Sequence, residues 1–342
     1  MNLAVVILAA GQSTRMNSGQ PKMLHELAGK PMISYGVETA VQLGAGKPVL
    51  IVGHGGERVQ ETLGETAEYV VQEERLGTGH AVLQARSVLQ GRSEAVLVYY
   101  GDMPLLQVET LQRLVALHTE GRGPVTMLIL RAPDPRGFGR VVRDVSGGVL
   151  GVVEEVDCTE EQLAIRELNA GVYCFDAAWL WDRLTRLPRS RKGEYYLTDT
   201  VGMAVSEGAA VMAVTTENEA ECLGINTRVH LAEATSVMRR RINRRWMLAG
   251  VTLVDPATTY IDAHVEIGQD TVIHPNTHLQ GETRIGSHSI IGPNSVLLDS
   301  TVGERCSIMA SVCERVILED GASLGPFAHL CDGQRSSANP CP

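Results

Sequence analysis

Hydrophobic and polar positions follow two different periods along this chain. In the N-terminal part, short apolar runs rich in β-branched residues recur at Leu3–Leu8, Pro48–Val52, Tyr69–Val71, Ala95–Tyr100 and Val125–Leu130. Runs apolar on both sides suit strands buried on both faces of a parallel sheet. Between them lie stretches with helical spacing, such as Pro31–Leu43 with Met32, Ile33, Val37, Ala40 and Val41. Strands alternating with helices predict an α/β, doubly wound, mostly parallel sheet of the Rossmann-like kind over residues 1–226. A helix over Thr227–Leu248 is expected to link it onward, as a 227–249 linker. Then the period becomes six: Ile267, Ile273, Leu279, Ile285, Ile291 and Leu297 recur without a miss, and Gly268, Gly286 and Gly292 follow three of them. Val302 and Ile308, then Leu318, Leu324 and Leu330, keep that step after a phase change. Such a repeat predicts a parallel β-helix over 250–330, each turn made of three hexapeptide faces. Residues 331–342 show no such step and read as an irregular, low-complexity tail.

In doubly wound sheets ligands sit beyond the carboxyl ends of the strands. The loops at Gly11, Gly77 and Asp102 all leave strands at that edge. After Leu3–Leu8 the chain runs Ala9-Ala10-Gly11-Gln12-Ser13-Thr14-Arg15. Small residues there let backbone N–H groups approach a phosphate, with Arg15 and Lys22 adding positive charge. Neither a Walker loop nor a dinucleotide fingerprint is present. Asp102, between Gly101 and Met103-Pro104 at a strand end, is the expected ligand of Mg²⁺, which prefers one or two hard oxygens plus substrate phosphates. Asn226 is placed to supply a second oxygen, or to cap the following helix. Gly137-Phe138-Gly139 suits either a mobile loop closing on a sugar or base, or a plain hairpin. Glu154 and Asn169 together suit sugar hydroxyls and an N-acetyl group, though each alone suits a surface or turn. His54 reads as a loop residue, and the arginines of the 227–249 helix as a solvated basic face or strut.

The net charge of −10, with no basic run longer than Arg239-Arg240-Arg241, argues against nucleic-acid binding. The seven cysteines are scattered without a C-x-x-C, so neither zinc nor a disulfide framework is expected. With no charged leader and no long apolar span, a cytoplasmic protein with free thiols and no membrane partner is expected.

The pattern L-A-A-G-x-x-T-R-M followed by P-K-M-L resembles the signature of sugar-nucleotide pyrophosphorylases. The further motifs ERLGTGHA, YGDMPLL, GFGR, EYYLTD and GIN, and the hexapeptide stretch after them, narrow the resemblance. Over residues 3–330 the chain resembles the bifunctional N-acetylglucosamine-1-phosphate uridyltransferase/glucosamine-1-phosphate acetyltransferase family. The resemblance implies left-handed coils, an exception to the usual crossover hand, and association as a homotrimer. It implies attack of N-acetylglucosamine 1-phosphate on the α-phosphorus of UTP with loss of pyrophosphate, a step in cell-wall precursor synthesis. Asp102 and Asn226 match the metal ligands, and Arg15 and Lys22 the catalytic cations. Leu8, Ala9, Gly11, Lys22, Gln72, Gly77 and Thr78 match nucleotide-binding positions, with the Gln72 amide on the uracil edge. Tyr100, Gly139, Glu154, Asn169 and Asn226 match sugar-binding positions.

Three departures stand out. Glu154-Glu155-Val156-Asp157 lacks the family's Lys, and Asn169-Ala170-Gly171 stands for Asn-Thr-Gly. After Gly325–Leu330 the family's text gives way to Cys331–Pro342, and the coils that carry its acetyltransferase residues are missing. Uridylyl transfer without acetyl transfer is therefore expected. The alternatives are another sugar-1-phosphate nucleotidyltransferase using dTTP, GTP or ATP, and a silent hexapeptide scaffold.

Overall fold

A computed structural model describes residues 2–11, 14–53, 55–121, 123–331 and 335–336. The expected loop residue His54 and most of the 331–342 stretch lie outside the described residues. The chain divides into two compact units, Met1–His25 with Pro31–His230, and Glu26–Lys30 with Leu231–Pro342. No helix among the described residues is long and apolar enough to cross a membrane.

The first unit is built on a sheet in the order Val211–Thr216, Val125–Arg131, Glu167–Asp176, Ala95–Tyr100, Leu3–Ala9, Val49–Val52, Glu68–Val71. Leu3–Ala9 lies near its centre, parallel to both neighbours. Its alternate side chains divide between two cores: Val6 and Leu8 pack with Val49 and Ile51, while Val5, Ile7 and Ala9 pack with Leu50 and Val52. Burial on both faces is why the run is continuously apolar. Glu167–Asp176 is antiparallel to both strands beside it, so the sheet is mostly but not wholly parallel. Its register shifts between Asn169 and Tyr173. Gly171 sits in that bulge at φ +75°, and a Cβ there would lie 2.4 Å from the Tyr100 ring. Arg140–Arg143 and Val149–Val153 form an antiparallel pair, so the glycine-jointed stretch enters a hairpin. Of the Glu194–Asp199 stretch, only Asp199 belongs to the Asp199–Ser206 helix.

In the second unit the strands stack in three parallel sheets of five. One runs Thr252–Leu253, Val272–Ile273, Ile290–Ile291, Ser307–Ile308, Ser323–Leu324, and the other two repeat the pattern one and two faces on. Ile273, Leu279, Ile291, Leu297 and Ile308 are fully buried. Cys313, also fully buried, takes the inward place between Ile308 and Leu318 that an aliphatic search passes over. Buried hydroxyls at the corners tie one coil to the next. Ser289 Oγ donates to Gly303 O (3.2 Å) and accepts from Cys306 N (3.1 Å); Ser300 Oγ donates to Leu298 O (2.8 Å) and accepts from Val316 N (3.3 Å). Each thus satisfies backbone groups that a tight corner leaves over.

Two parts of the chain differ from the sequence-based expectation. The helix expected as a 227–249 linker runs over Arg228–Leu248, and from Leu231 onward it is part of the second unit. The buried Asn243 amide donates to Pro256 O (2.8 Å) and Thr259 O (3.1 Å), and the Arg239 guanidinium lies 4.8 Å over the Tyr260 ring. Its polar residues thus make packing contacts, which hydrophobic patterning does not count. Within the 331–342 stretch, Cys331 ends strand His329–Cys331, and Arg335–Ser336 pairs in parallel with Ile317–Leu318. Strand pairing uses backbone groups only, so it continues where the hexapeptide side-chain pattern has ended. The unit also takes in Glu26–Lys30: Glu26–Leu27 pairs with Lys30–Pro31, and Ala263 N donates to Ala28 O (2.9 Å). Gly29, at φ +79°, lies so close to Asp262 that a Cβ would fall 2.5 Å from its carboxyl.

Candidate functional site

The predicted site residues come from strands of the first unit's sheet, among them Leu8, Ala9, Tyr100 and Asn169, and from the loops beside them. Leu8 pairs with Tyr100 and Ala9 with Val52, which fixes where the glycine loop leaves the central strand. The loop then makes two single turns of 3-10 helix, Thr14–Met16 and Lys22–Leu24, anchored by buried Met16, Met23 and Leu24. These turns carry Arg15 and Lys22. Lys22 is only 5% exposed, and its ammonium lies 2.5 Å from Asp102 Oδ2 and 3.0 Å from Asn226 Oδ1. Arg15 Nη2 donates to the same Asn226 oxygen at 3.1 Å. The Asp102 and Asn226 loops are joined by Ile225 N donating to Asp102 O (2.9 Å). Four residues from three separate stretches of the sequence therefore meet at one point.

That meeting point tests whether a divalent metal fits. Asp102 and Asn226 aim two hard oxygens at one cation, here the Lys22 ammonium. No group of three or more His, Cys, Asp and Glu residues suited to a metal occurs among the described residues. Two oxygens without a full protein cage suit Mg²⁺, which keeps waters and substrate phosphates in its shell. The donor set fits.

At a second corner, Gln72 is 4% exposed, and its Nε2 donates to Gly77 O (3.2 Å) beside His80 Nδ1 (3.0 Å). Thr78 Oγ1 accepts from Leu197 N (3.0 Å), and Gly79 N donates to Tyr195 O (2.8 Å). The GTGHA and EYYLTD stretches thus hold each other. The third corner gathers the expected sugar residues. Asn169 N donates to Gly139 O (2.9 Å), and Asn169 Oδ1 accepts from Gly171 N (3.1 Å) and the Tyr173 hydroxyl (2.7 Å). Glu154 accepts from Thr198 Oγ1 at 3.2 Å. Burial raises the Glu154 pKa above the usual carboxylate range, with Asp157 adding to the rise and Thr198 and Lys192 opposing it. Burial also raises the Tyr100 pKa, helped by the Glu154 and Asp102 carboxylates, so its hydroxyl stays protonated. Asp199 is raised by burial and by Glu154.

Of the residues that depart from the resemblance, Val156 is 70% exposed and Ala170 buried. Sequence reasoning missed His80, Tyr173 and Thr198, the partners of Gln72, Asn169 and Glu154. His80 and Thr198 lie inside the GTGHA and EYYLTD motifs, which was the available signal. It also missed Arg58 and Arg75. With Lys22 they line a cleft of about 320 Å³ beside Ala9, Ala10 and Gly11, and no Asp or Glu is among the described residues that line it. The six described cysteines are free thiols, and burial pushes Cys174 and Cys222 up to about 12.

Comparison with known proteins agrees with this layout. Residues 5–192 match the MobA-like NTP transferase domain family, and residues 264–298 match the bacterial transferase hexapeptide (six repeats) family. The chain is 45% identical over 329 residues to the Bifunctional protein GlmU of Heliobacterium modesticaldum, covering 96% of this chain and 72% of that protein. It is 42% identical over 335 residues to the same-named protein of Shouchella clausii (98% and 74%). For that of Exiguobacterium sp. the figure is 47% over 331 residues (96% and 73%). The second unit's coils are accordingly those of a left-handed hexapeptide β-helix. With an NTP transferase sheet, a cation-binding pair of oxygens at its edge and hexapeptide coils after it, this chain belongs to the GlmU family and is a nucleotidyltransferase.

Proposed function

We propose that this chain transfers a uridylyl group from UTP to N-acetylglucosamine 1-phosphate, making UDP-N-acetylglucosamine and pyrophosphate for cell-wall precursor synthesis. Nucleotidyltransferases of this family work with a divalent metal, and we assign Mg²⁺ here, held by Asp102 and Asn226. The observation that carries the reading is the convergence of both oxygens on one cation beside the glycine loop. When bound there, Mg²⁺ supplies charge neutralisation for the phosphate oxygens.

The protein's own residues do the rest by positioning and charge. The sugar phosphate oxygen forms a bond to the α-phosphorus, and the bond to the bridging oxygen of pyrophosphate breaks. Lys22 and Arg15 face the charge that develops on the leaving group. Backbone at Leu8, Ala9 and Gly11 borders the nucleotide, Gln72, Gly77 and Thr78 hold its base, and Arg58 and Arg75 extend the positive lining past Lys22. Tyr100, Gly139, Glu154, Asn169 and Asn226 hold the sugar, with the neutral Tyr100 hydroxyl donating and Glu154 accepting. The hexapeptide coils are proposed to assemble three copies. The protein is proposed to work in the cytoplasm, with no nucleic-acid or membrane partner.

One assay tests the reading. Purified 342-residue polypeptide with Mg²⁺ is expected to release pyrophosphate from UTP and N-acetylglucosamine 1-phosphate, and UTP is expected to outrun dTTP, GTP and ATP. Asp102→Ala should lower turnover by about 10²-fold or more. A different preferred nucleotide, or unchanged turnover in Asp102→Ala, overturns it.

A further inference from the structure

Gln72 and His80 lie eight positions apart, the first just past strand Glu68–Val71 and the second in helix Thr78–Gln84. The backbone of Gln72 is fixed by its N–H donating to Val52 O (2.8 Å). Its side-chain nitrogen has two hydrogens and two neighbours, Gly77 O at 3.2 Å and His80 Nδ1 at 3.0 Å. A backbone carbonyl can only accept. Gly77 therefore favours the nitrogen at the inward end of the Gln72 amide, and the shorter contact to His80 completes the hold. His80 Nδ1 must then accept too, which places the ring proton on Nε2.

The other side of the ring completes the assignment. The Gln84 amide nitrogen stands 3.1 Å from His80 Nε2 and 3.0 Å from His80 O. A neutral imidazole has one acceptor nitrogen, so two amides cannot both donate to it. Each amide also meets a backbone carbonyl, so one of the two must yield. Gln72 is sealed at 4% exposure, whereas Gln84 is half-buried, so Gln84 gives up its bond to His80 O and turns its oxygen toward the Nε2 proton. What remains open is Gln72 Oε1. It accepts from no described residue.

We propose that His80 is a positioning residue for nucleobase recognition: it holds the Gln72 amide so that only an acceptor, Oε1, is offered to the ligand. This rests on the reading of Gln72 as the residue that meets the base. A fixed acceptor pairs with a ring N–H, as uracil presents at N3. It opposes the lone pair that cytosine presents at the same position. Without His80 the amide can turn and offer its NH₂ group instead, so discrimination falls while the loops and charges elsewhere stand unchanged.

The test measures UTP and CTP binding to the full chain by calorimetry with Mg²⁺, and KM and kcat for both nucleotides. His80→Leu keeps the bulk but not the acceptor, with His80→Ala as a smaller counterpart. Each is expected to lower the UTP-over-CTP affinity ratio about tenfold or more, since a mismatched buried polar group is what rejects the wrong base. The change should fall on KM more than on kcat. His80→Asn, whose Oδ1 can stand where Nδ1 stood, is expected to restore most of the ratio. Gln72→Ala should abolish discrimination altogether. If Gln72→Ala loses it while His80→Leu and His80→Ala keep it, the role of His80 is overturned and the base reading stands. If Gln72→Ala keeps it, the base reading itself falls and takes this inference along. A ratio lost equally in His80→Asn overturns the claim that an acceptor is what the ring supplies.

Discussion

Lys22 occupies the point at which Asp102 and Asn226 aim their oxygens, so the protein's own ammonium competes with any metal that enters. A nucleotide's phosphates give Lys22 another partner and release its hold on both oxygens, leaving Arg15 on Asn226. It follows that Lys22→Met should bind Mg²⁺ more tightly than the parent when nucleotide is absent, yet turn over at least about 10²-fold more slowly. Metal titration by calorimetry beside a pyrophosphate assay checks both, and weaker metal binding in the variant contradicts the competition. Glu154 makes a second prediction. Burial raises its folded-state pKa, so the folded chain holds a proton that the unfolded chain has lost. Stability therefore declines as pH climbs from the ordinary carboxylate range through the raised value. Glu154→Gln should be more stable than the parent above that window and equal to it below, while KM for the sugar phosphate rises. Thermal melts across pH would show a constant difference if Glu154 carried no such strain. The motifs announced Lys22, Asp102 and Asn226, because a strand end, a glycine and a lone acid or cation are the pattern expected of a loop that handles phosphate. Thr198 was not legible as the partner of Glu154, because 44 positions separate them and only the folded sheet brings them together.

At the scale of elements, the six-residue period names its own inward positions. Ile290 and Ile291 are the same residue type on opposite sides of one strand, 47% and 0% exposed. Ile291→Ala should cost about 2–5 kcal/mol in denaturant unfolding, and Ile290→Ala less than about 1 kcal/mol. Equal costs would mean that the coil interior is not what holds the stack. The direction of Glu167–Asp176 could not be read in the same way. A strand buried on both faces shows an apolar run whichever way it points, and its antiparallel course is set by the strands on either side. Cys313 was passed over for a related reason: free cysteine is small and apolar enough for a coil interior, yet it does not belong to an aliphatic template. The bulge at Gly171 adds a prediction with a local cause. Gly171→Ala combines a strained φ with contact on the Tyr100 ring, so it should lower stability and raise KM for the sugar phosphate together.

For the whole molecule, every residue assigned to the reaction belongs to the first unit, while the hexapeptide core belongs to the second. Leu297→Ala, at a fully buried coil position, is therefore expected to shift unfolding while KM for UTP and kcat stay within about twofold of the parent, since the residues assigned to the reaction belong to the other unit. A large change in either constant would show that the coils contribute to the reaction itself. The division is not a division of the sequence, however. Glu26–Lys30 is made early, and Ala28 must wait for Ala263 to take its bond. At about 5–20 residues per second, that wait on the ribosome lasts roughly 10–50 s. Throughout it, Ala28 and Gly29 stand with Ala263 and Asp262, the residues they meet, still unmade, so completion of the early segment is timed by the late one.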